Sequence, residues 1–222
     1  MKKRIEEDLL KYEKDLYKEN ITLIAGVDEV GRGPLVGPVV ATRVILPVNY
    51  KLEGLTDSKK LSEKKRELFF DILKKDAVSI GIGIVEAEVI DEINIYEASR
   101  LAMIKAINDM DIKPEHILSD AMPLDIGISN TPIIHGDALS LSIAAASVIA
   151  KVTRDRMMIE LDKEYPMYGF SRHKGYPTKE HLANLEKYGI LDNYRKSYKP
   201  VSNIIYREGS GKVEQNKEVV NE

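Results

Sequence analysis

The sequence predicts an α/β domain built around a mixed sheet. Short runs rich in valine and isoleucine, bounded by glycine and proline, are typical of buried strands. They are interspersed along the chain with amphipathic segments of helical periodicity. The first strands follow one another closely and the later, shorter strands alternate with helices, which favours a mixed sheet. The chain has 222 residues, enough for one large domain with a well-buried core.

The elements of the first half are bounded by glycine and proline or by capping residues. In order they are a charged amphipathic helix (1–20), two strands (21–30 and 36–46), a helix (62–75) and a third strand (77–85). Ser62 is the expected N-cap of the second helix. Its predicted apolar face consists of Leu68, Phe69, Ile72 and Leu73.

The second half continues the alternation and then changes character after Pro166. Its predicted elements are a helix (95–110), two strands (116–120 and 132–136), a long helix (138–165) and a short helix (179–188). The small residues of 142–147 would let the long helix lie close to a sheet. We therefore divide the chain into an N-terminal charged helical extension (1–20), a main α/β domain (21–165), a helical C-terminal part (166–208) and a disordered tail (209–222).

Composition excludes several classes of protein. The net charge of -3 argues against a protein that binds nucleic acid through overall positive charge alone. The absence of cysteine excludes disulfides, thiolate zinc sites and cysteine nucleophiles. The sequence contains neither a run of eighteen apolar residues nor a secretory signal pattern, so we expect a soluble, cytoplasmic protein without a membrane partner.

Four carboxylates lie where three of the predicted strands end. Asp28 and Glu29 follow the apolar residues 21–27 of the first strand, Asp120 follows residues 117–119 of the fourth, and Asp137 follows residues 133–136 of the fifth. Any one of them alone is more simply a helix cap or a loop residue. Three strand ends that each deliver an acid indicate a common site, because buried carboxylates are costly unless they are paired or bind a metal. No neighbouring lysine offers them an obvious ion pair.

Oxygen ligands without cysteine favour Mg²⁺ or Mn²⁺ over zinc. Two such ions about 3.5–4 Å apart can hold the attacking and leaving oxygens of a phosphoryl displacement. Adjacent residues of a strand point to opposite faces of the sheet. Asp28 and Glu29 can therefore share such a site only if the first strand ends, twists or bulges there.

Three further segments have features that suit a phosphate or a nucleic acid, each with a plainer alternative. Residues 31–37 are rich in glycine but lack the spacing of a nucleotide loop, so they form either a turn or backbone held close to a ligand. Residues 57–60 offer donors to a phosphate or simply cap a helix. Residues 170–200 form either a nucleic-acid surface or a solvated basic face. They carry seven basic residues and interleaved tyrosines: Arg172, Lys174, Lys179, Lys187, Arg195, Lys196 and Lys199, with Tyr176, Tyr188, Tyr194 and Tyr198.

Together these segments resemble ribonuclease HII, the type 2 ribonuclease H family. The resemblance spans about residues 21–200, in one order and with the spacing of the family. The segments that carry it are Gly26-Val27-Asp28-Glu29-Val30-Gly31-Arg32-Gly33-Pro34, Asp57-Ser58-Lys59-Lys60-Leu61-Ser62, Gly136-Asp137, Ser142-Ile143-Ala144-Ala145-Ala146-Ser147, Ala150-Lys151, Arg154-Asp155, Tyr165-Pro166, Tyr168-Gly169-Phe170 and His173-Lys174-Gly175-Tyr176. Two departures lie beside the acids: Val30 stands where alanine is common, and Ala121 where glycine is usual.

The resemblance implies an RNase H-like fold: a mixed five-stranded sheet flanked by helices, with a small helical C-terminal extension. It also implies two divalent ions, Mn²⁺ or Mg²⁺, bound by the four catalytic acids Asp28, Glu29, Asp120 and Asp137. The implied substrate-binding residues are Gly31, Arg32 and Gly33, whose backbone recognises the ribonucleotide 2′-hydroxyl, with Lys59, and Tyr176, which packs on the next sugar. The 2′-hydroxyl is the group that separates RNA from DNA at such a site.

The implied activity is that of a monomeric endoribonuclease. It would degrade the RNA of RNA/DNA hybrids and incise duplex DNA on the 5′ side of embedded ribonucleotides, leaving 3′-hydroxyl and 5′-phosphate ends. His173 and His181 are then phosphate contacts or structural residues. One alternative is ribonuclease HIII, which usually carries an extra N-terminal domain that twenty residues cannot supply. The others are a non-catalytic binder of hybrids and a scaffold that docks on a replication or repair protein.

Overall fold

The computed structural model describes residues 9–109 and 112–207. Five of its segments are strands of one sheet: β1 (Ile24–Val30), β2 (Val39–Ile45), β3 (Ser79–Val85), β4 (His116–Asp120) and β5 (Ser129–Ile133). Their spatial order is β3-β2-β1-β4-β5. β2 is antiparallel to both β1 and β3, whereas β1, β4 and β5 run parallel to one another. The predicted mixed five-stranded sheet is confirmed.

Helices cover both faces of this sheet. They are α1 (Lys11–Lys18), α2 (Glu63–Asp76), α3 (Ala87–Asn108), α4 (Leu141–Glu164), α5 (Phe170–His173) and α6 (Lys179–Tyr188). The α3 helix packs on the face that carries Ala25 and Val27 of β1. On the other face, Ile24 contacts α4 through Ile143, and α1 joins the same cluster. Alternate residues of β1 therefore face different helices, as the two-residue period of a strand requires.

Of the five predicted strands, only β4 keeps its expected bounds; β1 and β3 begin three and two residues later than predicted, and the other two strands are shifted further. The strand predicted at 36–46 begins only at Val39, because Gly37 has a positive φ of 78° and Pro38 follows it. The strand predicted at 132–136 is β5, which ends at Ile133. Pro132 lies inside it rather than at its start, which an edge strand tolerates because the missing N–H can face away from the ladder.

The predicted helices are largely confirmed, with two corrections. Ser62 caps α2, its side chain accepting from Lys65 N, but Leu68 is 56% exposed and does not belong to the buried face. The α3 helix begins at Ala87 rather than at residue 95, with a break at Asn94, where φ is 68°. The Asn94 side chain accepts hydrogen bonds from the N–H groups of Tyr96 and Glu97. It thereby caps the part of α3 that follows the break, which is the part that the sequence predicted as a helix.

The C-terminal part packs around its own apolar cluster against the end of α4. Tyr168, Phe170, Leu185 and Tyr194 form the centre of that cluster. Residues 199–207 are helical. The boundary at 165/166 stays a prediction, and the predicted tail 209–222 and residues 1–8 of the N-terminal helix lie outside the described residues. In the described part of the chain, no helix has the length and apolar character needed to span a membrane.

Candidate active site

The parallel strands bring three of the predicted acids to one edge of the sheet. Asp28 lies near the end of β1, Asp120 ends β4, and Asp137 lies in the one-turn 3-10 helix Gly136–Ala138 that follows β5. One carboxylate oxygen from each of these residues lies within 4.8 Å of the others. Asp28 and Asp137 are each 5% exposed. Side chains that lie up to 109 positions apart in the sequence thus form one cluster of oxygen ligands.

Glu29 is adjacent in sequence but lies outside this group of three. The strand predicted at 21–30 is β1, which continues to Val30 in regular register with β2 and neither ends nor bulges at Asp28. Successive side chains of β1 therefore point to opposite faces. Glu29 Oε1 accepts from Arg32 Nη1 at 3.4 Å, while its Oε2 is buried with no hydrogen-bond partner among the described residues. Besides burial, the main cause, the charge of Asp120 raises the pKa of Glu29, so the Glu29 carboxylate lies within electrostatic range of the three clustered acids.

Burial and mutual repulsion raise the pKa of the clustered acids. Desolvation raises the pKa of Asp28 well above its usual value, and the charges of Glu29 and Asp120 add to the shift. Burial likewise raises the pKa of Glu29 against the opposing charge of Arg32. For Asp137, burial and then the charge of Asp57 raise the pKa. A bound cation stabilises the ionised form of buried, mutually repelling carboxylates such as these.

Lys59 supplies a positive charge that local sequence did not reveal. Lys59 lies two residues after the N-cap Asp57, and its Nζ is 3.5 Å from Asp137 Oδ2. Burial alone would lower the pKa of Lys59, but the charges of Asp137 and Asp28 more than offset it, so the pKa is raised. The expectation that the acids lack a lysine partner is therefore wrong. The Lys59 side chain is 77% exposed and so remains accessible from solvent.

Two buried arginines, Arg195 and Arg154, bind the carbonyl groups of the glycine-rich segment 31–37 and of the residue after it. Arg195 donates to the carbonyl oxygens of Gly31 at 2.6 Å and Arg32 at 3.0 Å, and twice to that of Gly37. Arg154 donates to the carbonyls of Val36 and Pro38. Gly31 has φ +98°, and a Cβ there would lie 2.3 Å from Arg154 Nε. With its carbonyl groups engaged inward, the segment keeps a fixed backbone beside the acids.

Tyr176 lies next to this segment. A Cβ added to Gly33 would be 3.4 Å from Tyr176 Cε1, and the Tyr176 side chain is 40% exposed. Its backbone is held by Leu35 N, which donates to Gly175 O at 2.8 Å, and by His181 Nδ1, which lies 2.9 Å from Tyr176 O. The structure thus places an exposed aromatic ring against the glycine-rich segment.

The comparisons with known proteins agree with this geometry. The family model for Ribonuclease HII matches residues 25–201. A Ribonuclease HII from Bacillus cytotoxicus is 56% identical over 198 residues, which cover 89% of this chain and 76% of that protein. The chain belongs to the ribonuclease HII family. It is therefore a type 2 ribonuclease H, a metal-dependent hydrolase, and the ribonuclease HIII alternative is excluded.

Solved structures of ribonucleases H agree with that assignment. The ribonuclease H2 of Pyrococcus horikoshii OT3 superposes with a TM-score of 0.73 at 29% identity, over 83% of this chain and 97% of that one. The PCNA:RNase HII complex from Archaeoglobus fulgidus matches with a TM-score of 0.66 at 26% identity, over 79% of this chain and 95% of that one. The RNase H-like fold predicted from the sequence is confirmed.

The residues of this ribonuclease HII site fit a divalent metal. Its candidate ligands are all carboxylate oxygens, the donors that Mg²⁺ and Mn²⁺ prefer. The acids are buried, carry raised pKa values, and include one carboxylate oxygen without a partner among the described residues. Such a set is poorly satisfied by protein donors alone and suits a cation.

Sequence reasoning misplaced several basic and aromatic residues of the C-terminal part. Arg195 and Tyr194, counted there as candidates for a nucleic-acid surface, are each no more than 1% exposed. Arg172 forms an ion pair with Glu180. His173 and His181 are buried and stack with ring centroids 4.3 Å apart, which makes them structural rather than phosphate contacts. Composition carries no signal for which basic residues are internal, because burial is set by tertiary contacts.

Proposed function

We propose that this ribonuclease HII cleaves the RNA of RNA/DNA hybrids and incises duplex DNA on the 5′ side of embedded ribonucleotides. The observation that carries the proposal is the convergence of Asp28, Asp120 and Asp137 at the carboxyl edge of three parallel strands, with oxygens within 4.8 Å of one another. The products would carry 3′-hydroxyl and 5′-phosphate ends. We expect the enzyme to act as a monomer in the cytoplasm.

In the proposed mechanism the four acids hold two divalent ions, Mg²⁺ or Mn²⁺. Such ions neutralise charge on the scissile phosphate and lower the pKa of the attacking water, so no histidine base is required. Asp28 and Asp120 would hold the ions at the scissile phosphate, Glu29 would bind one ion, and Asp137 would complete the ligand set. Lys59, at 3.5 Å from Asp137, would balance the acids and contact a phosphate oxygen.

The glycine-rich segment 31–37, whose carbonyl groups the buried arginines bind, would recognise the ribonucleotide. Arg195 holds the carbonyl groups of Gly31 and Arg32, and the backbone N–H groups of Gly31, Arg32 and Gly33 would then contact the 2′-hydroxyl. The exposed ring of Tyr176 would pack on the sugar of the next nucleotide, which lacks that hydroxyl. This division of labour would select an RNA-to-DNA step.

The test is cleavage of a DNA duplex that contains one ribonucleotide, in Mg²⁺, Mn²⁺ or EDTA. We expect metal-dependent incision on the 5′ side of that ribonucleotide. Asp120→Asn should lower the rate at least about 10³-fold, since a metal ligand supplies several kcal/mol of transition-state stabilisation. Its affinity for the duplex should stay within a few-fold of the wild type.

Asp125→Asn is the matched control, because Asp125 is an exposed aspartate five residues away. It should cut at the wild-type rate. An Asp120→Asn enzyme that still cuts would show that the metal assignment is wrong. Binding by the wild type without cleavage in every metal would favour a non-catalytic binder of hybrids.

A further inference from the structure

The N-terminal helix α1 places a buried carboxylate at the start of α4. Glu13 is 1% exposed, and its Oε1 accepts from Ser140 Oγ at 2.6 Å and from Ser142 N at 3.0 Å. A backbone hydrogen bond from Leu141 N to Leu9 O, of 2.8 Å, fixes the same contact. The family model begins only at residue 25, after α1.

A carboxylate is a costly group to bury merely for packing. Here the cost is offset because α4 is 24 residues long and its N-terminus carries partial positive charge and free N–H groups. Ser140 is the N-cap of that helix, accepting from Ile143 N while it donates to Glu13. Glu13 Oε2 has no hydrogen-bond partner among the described residues. The charge of Glu13 therefore acts on the first turn of α4.

That first turn is joined by hydrogen bonds to the candidate metal ligands. Ser140 N donates to Gly136 O at 2.8 Å, which closes the turn that contains Asp137. Gly136 N in turn donates to Asp120 Oδ1 at 2.7 Å. A chain of hydrogen bonds thus connects Glu13, through Ser140 and Gly136, to the carboxylate of Asp120. Asp137 lies in the turn that this chain of hydrogen bonds closes.

We propose that Glu13 is a positioning residue for the metal site. By fixing the Ser140 hydroxyl and the first turn of α4, it holds the 136–138 turn in the geometry that aims Asp120 and Asp137 at one another. This inference rests on the proposed metal site. It gives the N-terminal helix a role in metal binding rather than in packing alone.

The test compares Glu13→Ala and Glu13→Gln with the wild-type full chain. Mn²⁺ binding is measured by titration calorimetry without substrate, and kcat and KM on the duplex with one ribonucleotide. We expect Glu13→Ala to weaken Mn²⁺ binding about 10-fold, the usual effect of removing a residue that orients a metal ligand. The kcat should fall by a similar factor at low Mn²⁺, while KM for the duplex stays within about 2-fold. Glu13→Gln, which retains an acceptor oxygen, should show a smaller loss.

The matched control is Asp15→Asn on the same helix, since Asp15 is exposed and its carboxylate forms an ion pair with Lys18, away from α4. It should bind Mn²⁺ as the wild type does. A Glu13→Ala enzyme with lowered Tm but unchanged Mn²⁺ affinity would overturn the proposal and leave Glu13 a packing residue. If that variant does not fold, unchanged Mn²⁺ affinity in Glu13→Gln overturns it equally. A wild type that binds no Mn²⁺ would instead refute the metal site itself.

Discussion

Burial keeps the imidazole of His181 neutral, and the neutral ring forms hydrogen bonds that hold the backbone of Tyr176 beside the candidate site. Its Nδ1 contacts Tyr176 O at 2.9 Å and its Nε2 contacts Tyr194 Oη at 2.8 Å. A neutral imidazole satisfies both, donating to the carbonyl and accepting from the phenol. Burial lowers the pKa of His181 to about 4, so the ring stays neutral while the enzyme works. The histidine thereby holds the backbone of Tyr176.

This lowered pKa predicts a loss of stability in acid. The pKa of His181 in the folded protein lies below the usual value of 6.5, so on acidification the unfolded state binds the proton first. The free energy of unfolding therefore decreases as the pH falls from about 6.5 towards 4. The difference corresponds to about 3 kcal/mol. Urea unfolding at pH 7 and pH 4.5 should therefore show a larger loss for the wild type than for His181→Gln, which cannot titrate. Equal losses in the two proteins would contradict the assignment of the neutral ring.

At the scale of elements, the contact between β1 and α4 sets the position of Asp28. Gly26 lies two residues before Asp28 on the same face of β1, and a Cβ there would lie 2.0 Å from Ser142 C. The predicted close approach of a small-residue helix to the sheet is thus confirmed, with a glycine on the strand side as well. Asp28 consequently faces α4, where Ser147 forms a hydrogen bond with it.

Gly26→Ala should therefore be strongly destabilising, because backbone atoms of α4 cannot move aside as a flexible side chain can. We expect a loss of about 2–4 kcal/mol in the free energy of unfolding, measured by urea denaturation. Gly127→Ala is the control: no atom lies within 4 Å of its Cβ position, and its φ of +70° alone should cost about 1 kcal/mol. Equal losses in the two variants would argue against a tight β1–α4 contact.

At the scale of the whole molecule, the acid cluster makes folding depend on pH and metal together. Burial, with mutual repulsion, raises the pKa of Asp28, and burial likewise raises those of Glu29 and Asp137. For acids with raised folded pKa values, stability is fully present below their ordinary values near 4 and is lost as pH rises through the folded values. A divalent ion reverses that loss, because it binds the ionised carboxylates and competes with protons.

Mn²⁺ should consequently raise the Tm more at pH 8 than at pH 5. At a concentration about 100-fold above the Kd the gain is about 2.7 kcal/mol, or roughly 5–10 °C for a chain of this length. Thermal unfolding in Mn²⁺ and in EDTA measures it. Asp28→Asn should raise the metal-free Tm at pH 8 and abolish the gain, whereas Asp125→Asn should leave both unchanged. A gain that is the same at both pH values would count against the cluster as the metal site.

The sequence by itself determined the elements and the identity of the acids. Strand periodicity, the Ser62 cap and the small residues of 142–147 are local patterns, so they predicted the mixed sheet and its long helix to within a few residues. Asp28, Asp120 and Asp137 follow or end strands whose parallel pairing brings their carboxyl ends together. The family motifs are also continuous in sequence, which is why they were recognisable without coordinates.

Only the tertiary structure decided which distant residues meet. The 3.5 Å approach of Lys59 to Asp137 joins residues 78 positions apart, and the contact of Glu13 with Ser140 spans 127. The burial of Arg195 under the 31–37 segment, and the separation of Glu29 from the three clustered acids, follow from strand register and packing. Contacts between residues so far apart in sequence depend on how the strands and helices pack together, and local composition and periodicity do not specify that packing.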